Sequence, residues 1–285
     1  MTTTLTPPPV PPVPPVPQTS TPPSRQPSSA GRVIAILAIV LGGLIVLATV
    51  FSAVTSTIAS ALVHTDSRSI AVTDVSNLDV DLSAGQLSVV FDQGLNEAEL
   101  EVTSTLGADA WTLAVEGDTL TVASPRRFFG PDWWFGGSGR AELHLPASLQ
   151  GLDAGLDISA GDVTATGEFG DLRAQLGAGR VTLDGAARHL DLGISAGAAD
   201  VSLADVRSAD LTVSAGSVTS QFTGVQPQSI TVDVSAGSVS MRVPDGEYDV
   251  RSTVSAGDFD SRIPATRGAS STIDVHISAG SVSLR

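Results

Sequence analysis

The chain has 285 residues, with 30 aspartates and glutamates against 15 arginines, no lysine and no cysteine. So acidic a balance, with no basic stripe to offset it, repels phosphate polymers and excludes nucleic acid as the partner. Without cysteine there are no disulfide staples and no thiolate metal or redox chemistry, so a folded part must be stable through its own core.

The residue types are unevenly spread, with eleven of the 17 prolines in the first 27 residues and all 30 carboxylates after residue 65. Residues 1–32 lack the apolar pattern needed to bury a core and are predicted to form a Pro-rich tail of polyproline II and coil. Pro7 to Pro17 reads either as a plain spacer or as a polyproline ligand for a cytoplasmic domain.

Residues 33–63 are predicted to be a transmembrane helix and a short stalk. The run 33–51 is uncharged and almost wholly apolar. As a helix of 19 residues it rises about 28 Å, the thickness of a bilayer's hydrocarbon core. Gly42, four residues after Ala38, reads as ordinary glycine use or as a small-residue helix contact. Arg25 and Arg32 precede the span with no acidic residue nearby, and Asp66 follows it. That asymmetry places the N-terminus in the cytoplasm and everything after residue 64 outside the cell membrane. Ala59-Ser60-Ala61 also has the small-x-small form of a signal-peptide cleavage site, against which stand the long leader and the length of the apolar run. The outside part carries 30 carboxylates against 13 arginines.

Residues 64–150 are predicted to be irregular but strand-like, with a hairpin around Gly117-Asp118 in "AWTLAVEGDTLTVAS". Within them lies the least ordinary stretch, "RRFFGPDWWFGGSGR". Arg126, Arg127, Phe128, Phe129, Trp133, Trp134, Phe135 and Arg140 gather here, including five of the twelve aromatic residues. Aromatic and arginine side chains carry much of the energy of protein interfaces, and near a membrane they also seat at headgroups. The loop is therefore the candidate interaction site; the competing reading folds its aromatics back as a cap on the core.

From 151 to 285 one phrase recurs, Ser-Ala-Gly or a variant. Its glycines are Gly161, Gly179, Gly197, Gly216, Gly237, Gly257 and Gly280, with an earlier copy at Gly85. The later seven are 18–23 residues apart, a period characteristic of solenoids. In "SITVDVSAGSVSMRV", Ile230, Val232 and Val234 share one parity, and Val239, Met241 and Val243 share the other. Period-two alternation marks a half-buried strand, and a slip of one residue would turn the following side chains outward unless the backbone bends there. Ser-Ala-Gly is thus a structural corner. One rung buries too little apolar surface to fold alone, so the repeat is a rule for stacking. On this reading the terminal copy, Ile277–Arg285, is the last rung. The expected fold is all-β, a single-stranded β-solenoid or β-helix.

The stretches "LDVDLSAGQLSVVF" and "RAELHLPASLQGLDAGLDISAGDVTATGEFGDLRAQLGAGRVTL", with the copies that follow, resemble the bacterial putative-adhesin domains. These are β-strand-repeat domains of unknown function. The resemblance covers about residues 70–285. It implies a β-solenoid in the cell envelope behind a single membrane span, and it carries over no catalytic residue.

Catalytic, metal and cofactor sites are not expected. Gly193-Ile194-Ser195-Ala196-Gly197 matches a hydrolase nucleophile-elbow pattern, but Ser195 occupies a repeat corner rather than a strand-to-helix turn. His64, His144, His189 and His276 lack metal-ligand spacing. Asp162 and Asp258 follow corner glycines, where they read as solvated turns or as a stacked acidic ladder. Asp233, Arg242 and Arg251 are the residues a glycan-active β-helix would use, and nothing separates them from surface charge. The expected role is a non-catalytic envelope scaffold, adhesion or interaction module with an envelope protein or surface partner and an oligomeric state left open. The alternatives are an accessory in envelope-stress signalling and a glycan-active enzyme.

Overall fold

The structure is a computed structural model that describes residues 64–104, 108–125 and 139–285. All of the regular structure there is strand, apart from two single 3₁₀ turns at Ala108–Ala110 and Ala147–Leu149. Among the described residues no helix is long and apolar enough to cross a membrane. The predicted span at 33–51, with the tail and stalk around it, lies outside the described residues.

Twelve strands form one mixed sheet. Before the repeats come β1 (His64–Ala71), β2 (Asn77–Leu82), β3 (Gln86–Asp92), β4 (Glu97–Ser104), β5 (Thr112–Glu116), β6 (Thr119–Ala123) and β7 (Arg140–Pro146). The repeats then supply β8 (Asp153–Ala204), β9 (Ser208–Thr223), β10 (Ser229–Arg242), β11 (Tyr248–Ser261) and β12 (Ser271–Leu284). β8 is long because the strand is unbroken across the bends at Gly161, Gly179 and Gly197.

Burial follows the slip of alternation at each corner. Leu78, Val80 and Leu82 are buried before Gly85, and Leu87 and Val89 after it; Ile230, Val232 and Val234 are buried before Gly237, and Val239 and Met241 after it. The bend at Ser-Ala-Gly keeps both halves of a rung facing the same interior, and the rungs share one continuous apolar core. Parallel pairing holds equivalent residues level from rung to rung. Val213 pairs with Ile194 and with Val234, and Val234 pairs with Ile277. The earlier region continues the series, since β2 lies level with Asp153–Ile158 and β3 with Asp162–Thr166. β6 and β7 then lie on the other side of β2 and β3. The hairpin around Gly117 is present as the antiparallel pair β5–β6.

One expectation is corrected. The terminal copy is not the last rung: β12 lies between β10 and β11, paired in parallel with both. The chain passes over one rung's space at residues 243–247, lays down β11, and returns through 262–270 to fill the gap. Two side-chain links hold this crossover. The Tyr248 hydroxyl donates to the Pro244 carbonyl at 3.0 Å. The Asp249 carboxylate accepts from Arg251 at 2.8 Å and from the Gly268 N–H at 3.2 Å.

Candidate functional site

The corners form a single column. At Gly179, φ is +122° and an added Cβ would fall on the carbonyl oxygen of Gly161, so both the backbone angle and the close approach of the next rung demand glycine. Gly161 stands in the same relation to Gly85. The column runs on through Gly197, Gly216, Gly237 and Gly280 to Gly257, the last two in the exchanged order.

Beside Gly85 the column meets Gly139, at one end of the aromatic segment. Val122 of β6 is level with Val80, and Leu143 of β7 with Val89, so the described ends of the segment joining β6 to β7 stand on either side of the corner at Gly85. Its roots copy the repeat. Ser124 stands beside Ser83, whose N–H donates to the Ser124 hydroxyl at 2.8 Å, and Gly139 stands beside Gly85, its carbonyl accepting from the Gln86 N–H at 3.1 Å. Between Ser124 and Gly139 the sequence carries residues 125–138 where the repeat has one alanine. Arg126, Arg127, Phe128, Phe129, Trp133, Trp134 and Phe135 lie outside the described residues. Arg140 is described: it is exposed, and its guanidinium donates twice to the Gln86 side-chain carbonyl, at 3.0 and 3.2 Å.

Another aromatic residue belongs to the core itself. Trp111, 5% exposed, follows the 3₁₀ turn Ala108–Ala110 and belongs to the apolar core. Its carbonyl accepts from Arg68 of β1 at 3.2 Å, tying the β1–β4 pair to the β5 side. Sequence reasoning passed Trp111 over as one member of a hairpin. The available signal was a tryptophan following a short helix-like turn, just before a strand at the start of the stack.

The remaining candidates stay apart. Asp162 and Asp258 are separated by most of the stack, so they form no ladder; Asp162 lies level with Gln86 and Asp258 with Ser281. Asp233 pairs with His276 at 3.3 Å before the corner of its rung, Arg242 follows that corner, and Arg251 is engaged by Asp249. Ser195 is exposed at a strand-to-strand corner between Ile194, level with Val213, and Ala196, level with Ala215. His144 lies 3.8 Å from both Asp92 and Glu142. His189 meets the Ser208 hydroxyl at 2.6 Å in a shallow groove beside Arg173 and Asp191, which pair at 2.8 Å. Among the described residues no cluster of three or more histidines and carboxylates is placed to hold a metal ion.

The end rung carries the displaced ionisations. Burial, and next the negative charge of Asp245, push the Tyr248 phenol up to about 12. The Arg251 hydrogen bond, followed by that from the Gly268 N–H, holds the Asp249 carboxyl below its ordinary range. Both residues fasten the crossover.

No family model matches the chain, and no curated protein matches it. Among solved structures it is similar to a putative cell adhesion protein from Clostridium sporogenes, with 10% identity, coverage of 78% of this chain and 98% of that one, and a TM-score of 0.36. It is also similar to a putative adhesin from Bacteroides fragilis, at 11% identity, 78% and 97% coverage, and a TM-score of 0.39. A third similar structure is a putative lipid binding protein from Parabacteroides distasonis, at 11% identity, 78% and 97% coverage, and a TM-score of 0.29.

Proposed function

We propose that the chain is a β-solenoid held outside the cell by a membrane helix at residues 33–51, and that it serves as a non-catalytic scaffold or adhesion module of the envelope. The stack of level corners and the continuous core support the solenoid; the apolar run and its flanking arginines support the anchor. The observation that carries the role is the aromatic and arginine content of residues 126–135. The described residues that flank this stretch, Ser124 and Gly139, stand beside Ser83 and Gly85 of the column of corners, while Trp111 already fills the core. Five aromatics and two arginines inserted there, on an otherwise acidic ectodomain, supply the residue types from which interfaces draw their energy.

Cross-linking in living cells followed by mass spectrometry tests the role, comparing the intact chain with a variant carrying Gly/Ser in place of residues 128–135. The expected result is a partner captured by the intact chain and lost in a variant whose β-sheet circular dichroism is unchanged. An unfolded variant makes the loop structural and defeats this reading. Cleavage of envelope polysaccharide by the purified chain, lost on Asp233→Asn, would replace the scaffold with an enzyme. For the anchor, protease added to intact cells should remove the ectodomain and leave the N-terminal tail protected.

A further inference from the structure

The exchange of the last two rungs leaves β11 as the outermost strand. One edge pairs with β12 along its whole length, from Tyr248 opposite Ser271 to Ser261 opposite Leu284. The other edge is covered only at its start, where Ala265 bridges Tyr248 and the Thr266 N–H donates to the Tyr248 carbonyl at 2.8 Å. Beyond Asp249 no strand among the described residues pairs with it. The register nonetheless assigns this stretch core-facing positions: Ser252 opposite Val275, Val254 opposite Ile277, Phe259 opposite Val282 and Ser261 opposite Leu284. Val254 is 40% exposed although its neighbour Ile277 is buried, and the Ser261 hydroxyl is buried with no hydrogen-bond partner.

We propose that this edge pairs antiparallel with the same edge of a second copy of the chain, giving a two-fold dimer joined end to end. The corner slip makes the strand complementary to its own reverse. Core-facing positions are even before the corner (252, 254) and odd after it (259, 261). A two-fold axis through the corner therefore sets Val254 against Phe259 of the second copy, and Ser252 against Ser261 of the second copy, twice over. Directly opposed residues of an antiparallel pair share a face with Cβ atoms about 5 Å apart, so the apolar pairs close the open core and Ser252 meets the orphaned hydroxyl. A shift of one residue would set Val254 against outward-facing Asp258 or Asp260 and lose the match. Arg251 and Arg262 fall opposite each other at the margins. Each already has its own carboxylate: Asp249 lies 2.8 Å from Arg251, and Asp260 lies 3.8 Å from Arg262. The contact lies at the end of the sheet remote from β6 and β7, so it is independent of the aromatic loop and of the adhesive reading.

The test uses the full chain in a non-ionic detergent, with its mass measured by sedimentation over a concentration series. A concentration-dependent dimer is expected, and Val254→Lys, at an exposed position, should leave a folded monomer. A chain that is monomeric at every concentration overturns the proposal, as does a dimer untouched by Val254→Lys. Because the chain has no cysteine, the register can be read separately. The Thr253→Cys/Asp260→Cys variant places thiols opposite each other across the two-fold axis and should give a disulfide-linked dimer on mild oxidation. Thr253→Cys/Asp258→Cys, out of step by two residues, should not. Equal yields from the two variants defeat the pairing, even if Val254→Lys itself unfolds the end rung.

Discussion

The two ends of the stack are finished differently. At the β1 end the parallel rungs give way to antiparallel strands, β4 on β7, β1 on β4 and β5 on β6, and Trp111 shuts the core between them. At the β11 end the stack stops on a parallel rung whose core-facing Val254 is open. A parallel rung always offers the next one a free edge and an unsealed interior, whereas a change of strand direction with a bulky side chain seals both. The contrast suggests that the β11 end is finished from outside the chain.

Substitutions at equivalent glycines should expose the contrast most strongly. Gly197→Val, in mid-stack, drives a side chain onto Gly179 and should abolish the cooperative unfolding transition in urea. Gly257→Val drives one onto Gly280 at the end rung and should release β11 alone, seen as fast amide exchange over 248–261 with the rest protected. A global collapse in both variants would erase the distinction between middle and end. Next in size, Trp111→Ala removes the seal at the β1 end and should cost about 3 to 5 kcal/mol, measured from the shift in urea midpoint. A loss below about 1 kcal/mol would show that Trp111 does not cap the core. Smaller again is Tyr248→Phe, which removes one hydrogen bond to Pro244 and should cost about 1 kcal/mol.

The smallest effects concern pH. The Tyr248 phenol is raised to about 12 from an ordinary value of 10.0, so its stabilisation is complete below pH 10. It is lost as the pH climbs through about 12, because the unfolded chain gives up its proton first. β11 should exchange faster across that window in the wild type and show no such step in Tyr248→Phe. Asp249 works in the opposite sense. Its carboxyl is lowered, so its contribution holds above the ordinary carboxylate range and fades as the pH falls through its folded value. Asp249→Asn should flatten that acid limb, and an unchanged limb would remove Asp249 from the latch.

The strands, the corners and the change of parity at Gly85, Gly179, Gly237 and Gly280 were legible because each arises within a few residues, from side-chain alternation and from the need for glycine. The order of stacking was not. Rungs ending in Val234, Val254 and Ile277 present nearly the same pattern to a neighbour, so no local feature says which lies against which. The choice rests on the reach of 243–247 and 262–270 and on the Tyr248 and Asp249 latches, contacts that exist only once the rungs are in place. The candidate site was legible in part. The composition of 126–140 marks the loop as a candidate, whereas Ser124 and Gly139 become recognisable as corner positions only from their places beside Ser83 and Gly85; Trp111 escaped notice because a sealing side chain is defined by the opening it fills.

The exchanged order of β11 and β12 also sets a timetable. From β8 to β10 the rungs add in the order in which they are synthesised, each onto a surface already built. β11 emerges before the strand on which it rests, so it has no place to dock until β12 has followed it out. Assembly that advances rung by rung must therefore pause after β10 and finish in one step, with β12 and β11 arriving together. A nascent chain in transit to its final location holds its sticky edge unformed until synthesis has passed the last repeat.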